Sequence, residues 1–367
     1  MRIAILIGHF PPAAYGGAEL QAEAWARRLA LRHEVTVITR ADHLRPAGRE
    51  GRDGFTVVRT PASAVPGWRT VADLFAVERA LSSMSPRPDL LLCFQTFISG
   101  LAGTRAGRRL GIPAIVWVRG EAEYRLGVGR RHRWISPRVW SAAAGVLVQS
   151  EANRIAMLAE LERHAPAHVA HVRDRLVVVE NGLDLPEASP VPGSGPVLSV
   201  GRLIADKGMD VVIGACARAR RSLVIAGAGP ERDSLEALAR TLGADVRFTG
   251  HADREGLAAL YRNASVVVLA ARRGEGLPNV LLEAMAHARP VVATPCAGTR
   301  DLVAEGDNGL LVPPGDEAAL AASLVRLAAD PALAARLASA GRATAERFEW
   351  ARVEPRLEAA LARWGRT

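Results

Sequence analysis

Short runs of Val, Ile and Leu alternate along the chain with longer Ala-, Arg- and Leu-rich runs that have helical spacing. Near-continuous apolar strands of this kind are typical of a parallel sheet that is covered by helices on both faces. In the first half the pattern predicts strands at 2–8, 34–39, 55–59, 89–94, 113–118, 145–149 and 176–179, with helices notably at 18–31, 70–83 and 151–163. The predicted fold class is therefore α/β.

The pattern is interrupted at residues 185–195, which are rich in Pro, Gly and Ser and are typical of a linker. It then restarts, with strands predicted at 197–200, 222–226, 245–249, 265–270, 290–294 and 310–312, followed by three helices. We expect two doubly wound Rossmann-like domains, 1–184 and 196–345, that face each other across a cleft. A C-terminal helix within 346–367 could pack back toward the first domain.

The basic residues are unusual in kind and in distribution. Lys207 is the only lysine among 47 basic residues, and the formal net charge is +9 over 367 residues. Residues 1–186 hold 25 basic and 17 acidic side chains, whereas the remainder hold 22 and 21. The excess in the first half indicates an anionic partner, which could be a phosphorylated acceptor, an acidic membrane surface or nucleic acid.

Cysteine usage and the first residues indicate the compartment. Three scattered cysteines without a C-x-x-C pair fit a reducing cytosol, and the opening apolar run is typical of a first strand and not of a signal peptide. We therefore expect a cytoplasmic protein. Segment 124–140 mixes basic residues with Trp and Tyr, which suits the inner face of an anionic membrane or a lipid-diphosphate acceptor. The alternative is a solvated loop and helix entry with one or two buried aromatic rings.

Two cations and two glycines are candidates for a phosphate site. Arg202 and Lys207 lie in the stretch GRLIADKG, between a predicted strand and a helix. Lys and Arg are not interchangeable at a tight anion site, so a single retained lysine indicates a phosphate, unless it is an ordinary helix start. Gly16 and Gly17 precede a predicted helix, where backbone N–H groups could meet a phosphate, although Gly-Gly is also a common turn.

The segment GEGLPNVLLEAMA contains two glutamates eight residues apart. Glu275 falls in a glycine-flanked loop after a predicted strand, and Glu283 falls in the following helix. Because a carboxylate only accepts hydrogen bonds, two of them in a cleft suit hydroxyl-rich ligands such as a sugar and a ribose. The alternative is one glutamate at a helix start and one in solvent.

These motifs resemble those of the family 4 (group 1) retaining glycosyltransferases, which have the GT-B fold. The resemblance covers nearly the whole chain. It rests on the Gly-Gly-Ala-Glu loop, on Glu180–Asp184, on GRLIADKG, on the E-x7-E segment and on the closing GLLVPPGD. It implies a transferase that moves a sugar from a nucleoside diphosphate to a hydroxyl group, with retention of anomeric configuration.

The resemblance also implies roles for individual residues. Arg202 and Lys207 should bind the donor diphosphate, with Gly16 and Gly17 closing over the phosphates. Glu275 should bind hydroxyls of the transferred sugar, beside the backbone of Gly276, Leu277 and Asn279. Glu283 should bind the ribose, and the base should lie near His251. Because the chain contains no Asp-x-Asp motif, we expect no metal and no other cofactor.

One position departs from the family pattern. Many members carry a histidine after the strand that corresponds to 113–118, whereas this chain has Arg119 there. Arg119 could stabilise the phosphate or the acceptor. His9 and Glu121 are the candidates for orienting or deprotonating the acceptor hydroxyl.

The function predicted from the sequence is therefore glycosyl transfer in glycan, exopolysaccharide or glycolipid assembly. The donor would be a UDP-, GDP- or ADP-linked sugar, and the acceptor a sugar or a lipid-linked molecule. The alternatives are a nucleotide-sugar epimerase or hydrolase of the same fold, and a basic nucleic-acid-binding protein. The last is disfavoured, because neither a reading-helix motif nor regularly spaced aromatic platforms occur in the chain.

Overall fold

The structure, a computed structural model, describes residues 1–12, 16–42, 44–62, 69–191, 194–273 and 276–365. The chain forms two compact units: unit 1 comprises Met1–Glu180 and Glu354–Thr367, and unit 2 comprises Asn181–Val353. The boundaries predicted at 184 and 346 differ from these divisions. The chain therefore passes from unit 1 to unit 2 and then returns to unit 1.

Unit 1 contains one eight-stranded sheet in the order β3-β4-β2-β1-β5-β6-β7-β8. Its strands are β1 Arg2–Leu6, β2 Glu34–Arg40, β3 Gly48–Arg52, β4 Phe55–Thr60, β5 Leu90–Phe94, β6 Ala114–Trp117, β7 Gly145–Val148 and β8 Leu176–Val178. Its helices are α1 Gly17–Leu29, α2 Arg69–Ser82, α3 Leu101–Leu110, α4 Glu121–Tyr124, α5 Arg130–Ala142, α6 Glu151–His164 and α7 Val169–Arg173. A π-helical turn, Thr96–Gly100, follows β5.

The centre of this sheet is apolar on both faces. Every residue of β5, β6 and β7 is buried, because helices cover the sheet on each side. All seven strands predicted for the first half are present, and their pairing is parallel. The β3 strand was not predicted. It pairs antiparallel with β4 at the sheet edge, and its sequence GREGR has no apolar side chain to mark it.

Unit 2 contains a six-stranded parallel sheet in the order β11-β10-β9-β12-β13-β14. Its strands are β9 Val197–Val200, β10 Leu223–Ala226, β11 Val246–Gly250, β12 Val266–Leu269, β13 Val291–Ala293 and β14 Leu310–Leu311. Its helices are α8 Met209–Ala219, α9 Arg232–Leu242, α10 Arg254–Asn263, α11 Asn279–Ala286, α12 Ala297–Arg300, α13 Glu317–Ala329 and α14 Pro331–Ala345. The six predicted strands are confirmed.

The predicted linker, 185–195, belongs to unit 2. The side chain of Arg289 is fully buried and donates to the carbonyl oxygens of Ser189 and Pro190. A buried guanidinium needs acceptors, and these two carbonyl groups supply them. Part of the linker is therefore fixed to the body of unit 2.

The helix α15, Trp350–Trp364, contributes to both units. In unit 2 a Cβ atom at Gly182 would overlap the indole of Trp350, and in unit 1 a Cβ atom at Gly145 would overlap the indole of Trp364. Each tryptophan thus lies directly on a glycine, where any other residue would displace it.

Within the described ranges, no single helix is long and apolar enough to cross a membrane. One helix pair, Glu317–Ala329 with Pro331–Phe348, would be sufficient by length and composition, but it is bent by 104° at the break.

Candidate active site

The loops of unit 2 that carry the predicted donor site leave the same edge of the sheet. Because the strands are parallel, the segments after β9, β10, β11 and β12 all start at their carboxyl ends. Arg202 and Lys207 follow β9, His251 follows β11, and the segment 276–279 follows β12. The structure therefore places these predicted residues on neighbouring loops.

Lys207 folds back toward the strand that precedes it. It ends a 3₁₀ turn, Ala205–Lys207, and Gly208 then adopts a left-handed conformation with φ 64°. The Cδ and Cε atoms of Lys207 lie 3.9 Å from the position of a Cβ atom on Gly201. Arg202, the next residue after Gly201, is exposed. Both cations therefore lie at the end of β9.

Glycines allow the neighbouring loops to approach this strand end by their backbones. A Cβ atom at Gly227 would overlap the carbonyl oxygen of Gly201, and one at Gly229 would overlap that of Leu203. The N–H of Leu203 donates to the oxygen of Ala228 at 2.9 Å. Side chains are thereby kept away from the surface between the loops, where backbone groups can meet a ligand.

Glu275 and its neighbour Gly274 lie outside the described residues. The segment that follows is well packed: Gly276 and Leu277 are buried, and Asn279 begins α11. The amide of Asn181, which is 1% exposed, donates to Asn279 Oδ1 at 2.5 Å and to the Leu277 carbonyl oxygen at 3.4 Å. Asn181 therefore holds this segment in place.

Asn181 lies in the motif Glu180–Asp184, but it is not among the predicted site residues. Its two contacts reach residues 96 and 98 positions away, and so the motif alone does not show what Asn181 binds.

Glu283 emerges from α11 and is half-buried. The Tyr261 hydroxyl donates to Glu283 Oε2 at 2.8 Å, and the Tyr261 ring stacks on His287 with centroids 5.1 Å apart. Burial raises the pKa of Glu283 to about 7, against the hydrogen bond from Tyr261, which lowers it. The carboxyl group can therefore change its protonation state near neutral pH.

In unit 1, Gly16 and Gly17 begin α1. Gly16 is the N-cap, and as a glycine it has no side chain of its own with which to cap the helix. A Cβ atom at Gly16 would overlap the carboxylate of Glu19. The acidic group thus lies against the glycine pair, at the end of the helix that favours negative charge.

Arg119 follows β6 and lies against two aromatic rings. Its guanidinium carbon is 5.3 Å from the ring centroid of Phe94 and 4.9 Å from that of Trp117. Burial lowers the pKa of Arg119 to about 10, while Glu123 and Glu19 act in the opposite direction. The side chain remains a cation at neutral pH.

Glu123 is a functional candidate that was not predicted. Its carboxylate accepts from the backbone N–H of Thr96 at 2.5 Å and from that of Arg119 at 2.7 Å. It thereby ties the turn after β5 to the loop after β6. Burial raises the pKa of Glu123, and these two backbone hydrogen bonds oppose that shift.

The turn that Glu123 holds is strained. Gln95 has φ 79° and ψ 149°, and Ile98 has φ 56° and ψ −75°. Residues other than glycine rarely adopt these backbone conformations. The indole N–H of Trp140 donates to Thr96 Oγ1 at 3.0 Å, which adds a second restraint. Backbone strain of this kind is often retained at functional sites.

The two acceptor-side candidates differ in their surroundings. Glu121 begins α4 and lies 3.4 Å from Arg125 Nε, an ion pair within one helical turn. His9 is exposed just after β1, and its Nε2 atom lies 2.9 Å from Arg40 Nη2. Glu19 acts electrostatically on both His9 and Arg119.

Among the residues that the structure describes, no three His, Cys, Asp or Glu side chains are grouped so that they could hold a metal ion. Whether the reaction needs a metal therefore stays a prediction from the sequence.

Comparisons with known proteins identify the family of this chain. Residues 16–182 match the glycosyl transferase 4-like domain, and residues 195–330 match the glycosyl transferases group 1 domain. A D-inositol 3-phosphate glycosyltransferase of Frankia alni is 30% identical over 381 residues, which cover 91% of each chain. The chain belongs to the group 1 glycosyl transferases.

Solved structures show the same fold for this glycosyltransferase. It is similar to sucrose-phosphate synthase of Thermosynechococcus elongatus, with a TM-score of 0.85, 23% identity and 98% of both chains covered. It is also similar to the Anabaena protein HepE in complex with UDP and glucose, with a TM-score of 0.80, 21% identity and 99% of both chains covered. The predicted fold class, α/β with two Rossmann-like domains of the GT-B type, is confirmed.

The predicted enzyme class is confirmed as well: the protein is a glycosyltransferase of the hexosyltransferase type. These comparisons give no support to the epimerase alternative.

Proposed function

We propose that this glycosyltransferase moves a hexosyl group from a nucleoside diphosphate sugar to an acceptor hydroxyl, with retention of anomeric configuration. The observation that carries the proposal is the position of Arg202 and Lys207 at one strand end of unit 2, beside loops whose glycines expose backbone groups. Two cations and backbone donors suit a departing diphosphate. Neither group needs a metal in order to act.

In the proposed reaction the acceptor oxygen bonds to the anomeric carbon while the bond from that carbon to the diphosphate oxygen breaks. The proton of the acceptor hydroxyl passes to the departing phosphate on the same face of the sugar. Lys207 and Arg202 stabilise the charge that develops on the diphosphate. This accounts for retention without a covalent sugar–enzyme intermediate.

The remaining donor contacts are assigned by the chemistry of each group. We assign the ribose to Glu283, the base to the loop at His251, and the transferred sugar to Glu275 and the segment Gly276–Asn279. Gly16 and Gly17 of α1 would bind phosphate oxygens through their N–H groups, with Glu19 displaced from the helix start. Because HepE is described with UDP and glucose, UDP-glucose is the first donor to test.

The acceptor side is assigned to unit 1. Arg119 offers a cation that is held against Phe94 and Trp117, and it suits an acceptor that carries a phosphate or many hydroxyls. His9 and Glu121 flank the same ends of the strands. The acceptor class that fits best is a sugar or a lipid-linked sugar.

We further propose that unit 1 contacts an anionic membrane surface from the cytoplasm. Trp134 is 63% exposed and Phe75 is 55% exposed. Each lies beneath an arginine: Arg138 is 4.4 Å from the Trp134 ring and Arg105 is 5.4 Å from the Phe75 ring. Exposed aromatic rings next to guanidinium groups suit the headgroup region of anionic lipids.

The proposal is tested first by thermal denaturation with a panel of UDP-, GDP- and ADP-linked sugars. A donor at a hundred times its dissociation constant should stabilise the enzyme by about 2.7 kcal/mol. If no nucleotide sugar raises the midpoint, the assignment of the donor site is wrong.

Nucleotide release then separates transfer from hydrolysis. We expect free nucleotide to appear only when a sugar acceptor is present, and we expect EDTA to leave the rate unchanged. Release of nucleotide at full rate without any acceptor would favour hydrolysis instead.

A further inference from the structure

Three polar side chains contact one another in a row at the carboxyl edge of the unit 1 sheet. Arg40, the last residue of β2, contacts His9 after β1, with Nη2 and Nε2 2.9 Å apart. On its other side, Arg40 Nη1 lies 3.5 Å from Asp73 Oδ2. Asp73 projects from α2 and is 4% exposed. The order is therefore an exposed imidazole, a guanidinium and a buried carboxylate.

The chemistry of arginine determines which nitrogen of His9 carries the proton. A guanidinium has donors only, so the Nε2 atom that faces Arg40 must accept. A neutral imidazole has one acceptor and one donor nitrogen, and hence the proton of His9 lies on Nδ1. Asp73 fixes the guanidinium in this orientation, because its carboxylate can only accept.

We propose that Arg40 and Asp73 are positioning residues that hold His9 as a neutral imidazole protonated at Nδ1, so that His9 donates a hydrogen bond to a substrate oxygen and does not act as the acceptor's base. This inference rests on the proposed transfer reaction. The oxygen belongs to a hydroxyl or a phosphate of the bound substrate. His9 then determines specificity, because it favours a substrate that places a hydrogen-bond-accepting oxygen next to Nδ1.

Three observations indicate that the substrate meets His9 and not the residues behind it. The cavity beside Arg40, lined by Gly8, Thr39, Thr60 and Asp73 among others, measures about 20 Å³, which holds no sugar ring. His9 itself is exposed. Among the described residues of unit 1, no hydrogen bond to its Nδ1 atom is found.

The charges around His9 also favour the neutral ring. His9 is exposed as a residue, but partial burial of its ring lowers its pKa, and the positive charge of Arg40 lowers it further. Three carboxylates act in the opposite direction, namely those of Glu19, Asp42 and Asp73. Protonation of Nε2 would place two donors against each other, so the contact with Arg40 is lost once the ring is charged.

The tautomer can be measured directly on the folded enzyme. Long-range ¹H–¹⁵N correlation spectra of histidine-labelled protein distinguish protonated Nδ1 from protonated Nε2, and His9 is assigned by its absence in His9→Asn. We expect the Nδ1–H form for His9 in the wild type, and loss of this preference in Arg40→Met. His33, whose Nε2 faces Glu358 at 3.0 Å, should show the opposite tautomer in both proteins.

Two substitutions of His9 distinguish the hydrogen-bond donor at Nδ1 from the contact that Nε2 makes with Arg40. The amide of Asn lies the same number of bonds from Cα as Nδ1, and the amide of Gln lies as far as Nε2. We expect His9→Asn to keep kcat/KM within about threefold, and His9→Gln to lose about tenfold. Arg27→Met, which removes a partly exposed arginine paired with Glu23 and Asp53, serves as the control.

Asp73→Asn, which weakens the orientation of Arg40, should lower kcat/KM less than His9→Gln does. Finding the proton of wild-type His9 on Nε2 would overturn the proposal, as would equal inactivity of the Asn and Gln variants. If no transfer occurs with any donor, the proposed function fails, while the tautomer measurement still decides the state of His9.

Discussion

The carboxyl edges of the two sheets are built in different ways. In unit 2 the loops approach one another by their backbones at Gly201, Gly208, Gly227 and Gly229, and Arg202 and Lys207 supply the charge. In unit 1 the corresponding edge is built around side chains: the Glu123 carboxylate accepts the backbone N–H of Arg119, and the side chain of Arg40 contacts those of His9 and Asp73. Backbone donors and cations suit a phosphate group common to many donors, whereas paired side chains can select one acceptor.

Lys207→Met should have the largest effect. It removes the cation at the end of β9 that is assigned to the departing diphosphate, and we expect kcat to fall about a hundredfold without loss of folding. The rate is measured with the donor that stabilises the enzyme most.

Arg218→Met is the control for this prediction, because Arg218 pairs on the surface of unit 2 with Glu317. A fully active Lys207→Met variant would show that the unit 2 edge does not act through its cations.

The side-chain character of the unit 1 edge is tested by Glu123→Gln. Its carboxylate accepts two backbone N–H groups, and an amide would place a donor against one of them. We expect a loss of about 2 kcal/mol in the free energy of unfolding, measured with urea.

Glu121→Gln, two positions away, should cost about 0.5 kcal/mol or less, because its ion pair with Arg125 is partly exposed. Equal losses for the two variants would contradict the role given to Glu123.

The raised pKa of Glu283 predicts that binding of the sugar donor to unit 2 depends on pH. Ribose hydroxyls donate to a carboxylate, so the donor binds the ionised form and lowers the pKa of Glu283 from its value of about 7. Affinity for UDP-glucose should therefore rise with pH, by about tenfold between pH 6 and pH 8, with release of protons on binding. Calorimetry in buffers of different ionisation enthalpy measures both quantities.

In Glu283→Gln the affinity should be weaker and should not change over this range. If the slope persists in that variant, another group is responsible for the proton release.

The smallest effect is expected at the surface of unit 1. Trp134→Ser should weaken binding to vesicles that contain phosphatidylglycerol by about fivefold, as measured by flotation, because it removes an exposed aromatic ring that lies beside Arg138. Val325→Ser removes another exposed apolar residue, which lies in unit 2, and should leave binding unchanged. Identical vesicle binding by both variants would contradict the proposal that unit 1 contacts an anionic membrane surface.

The sequence predicted the sheets well, because buried parallel strands consist of runs of apolar residues that are visible in the local sequence. This pattern does not predict β3, whose polar residues are held in the sheet by pairing with β4 alone. Arg202, Lys207 and Glu283 could be singled out from the sequence because short motifs contain them, and their roles stay predictions.

Other parts of the site depend on contacts between distant segments. Glu121 and Glu123 are two residues apart and look alike in the sequence, yet only Glu123 accepts the backbone N–H groups of two loops. Asn181 and Asp73 likewise act through partners far away in sequence. Such roles follow from tertiary packing, which no local pattern records.

The double passage of the chain between units has a consequence for biosynthesis. Residues 181–353 form unit 2 without interruption, whereas unit 1 also needs residues that follow 353, including Glu358 and Trp364. A ribosome delivers residues in order, so the second unit has all of its residues before the first one does. The usual expectation that N-terminal domains finish folding first is therefore reversed here. During synthesis, the surface of unit 1 at Gly145 stays uncovered until Trp364 has been made and its indole packs there.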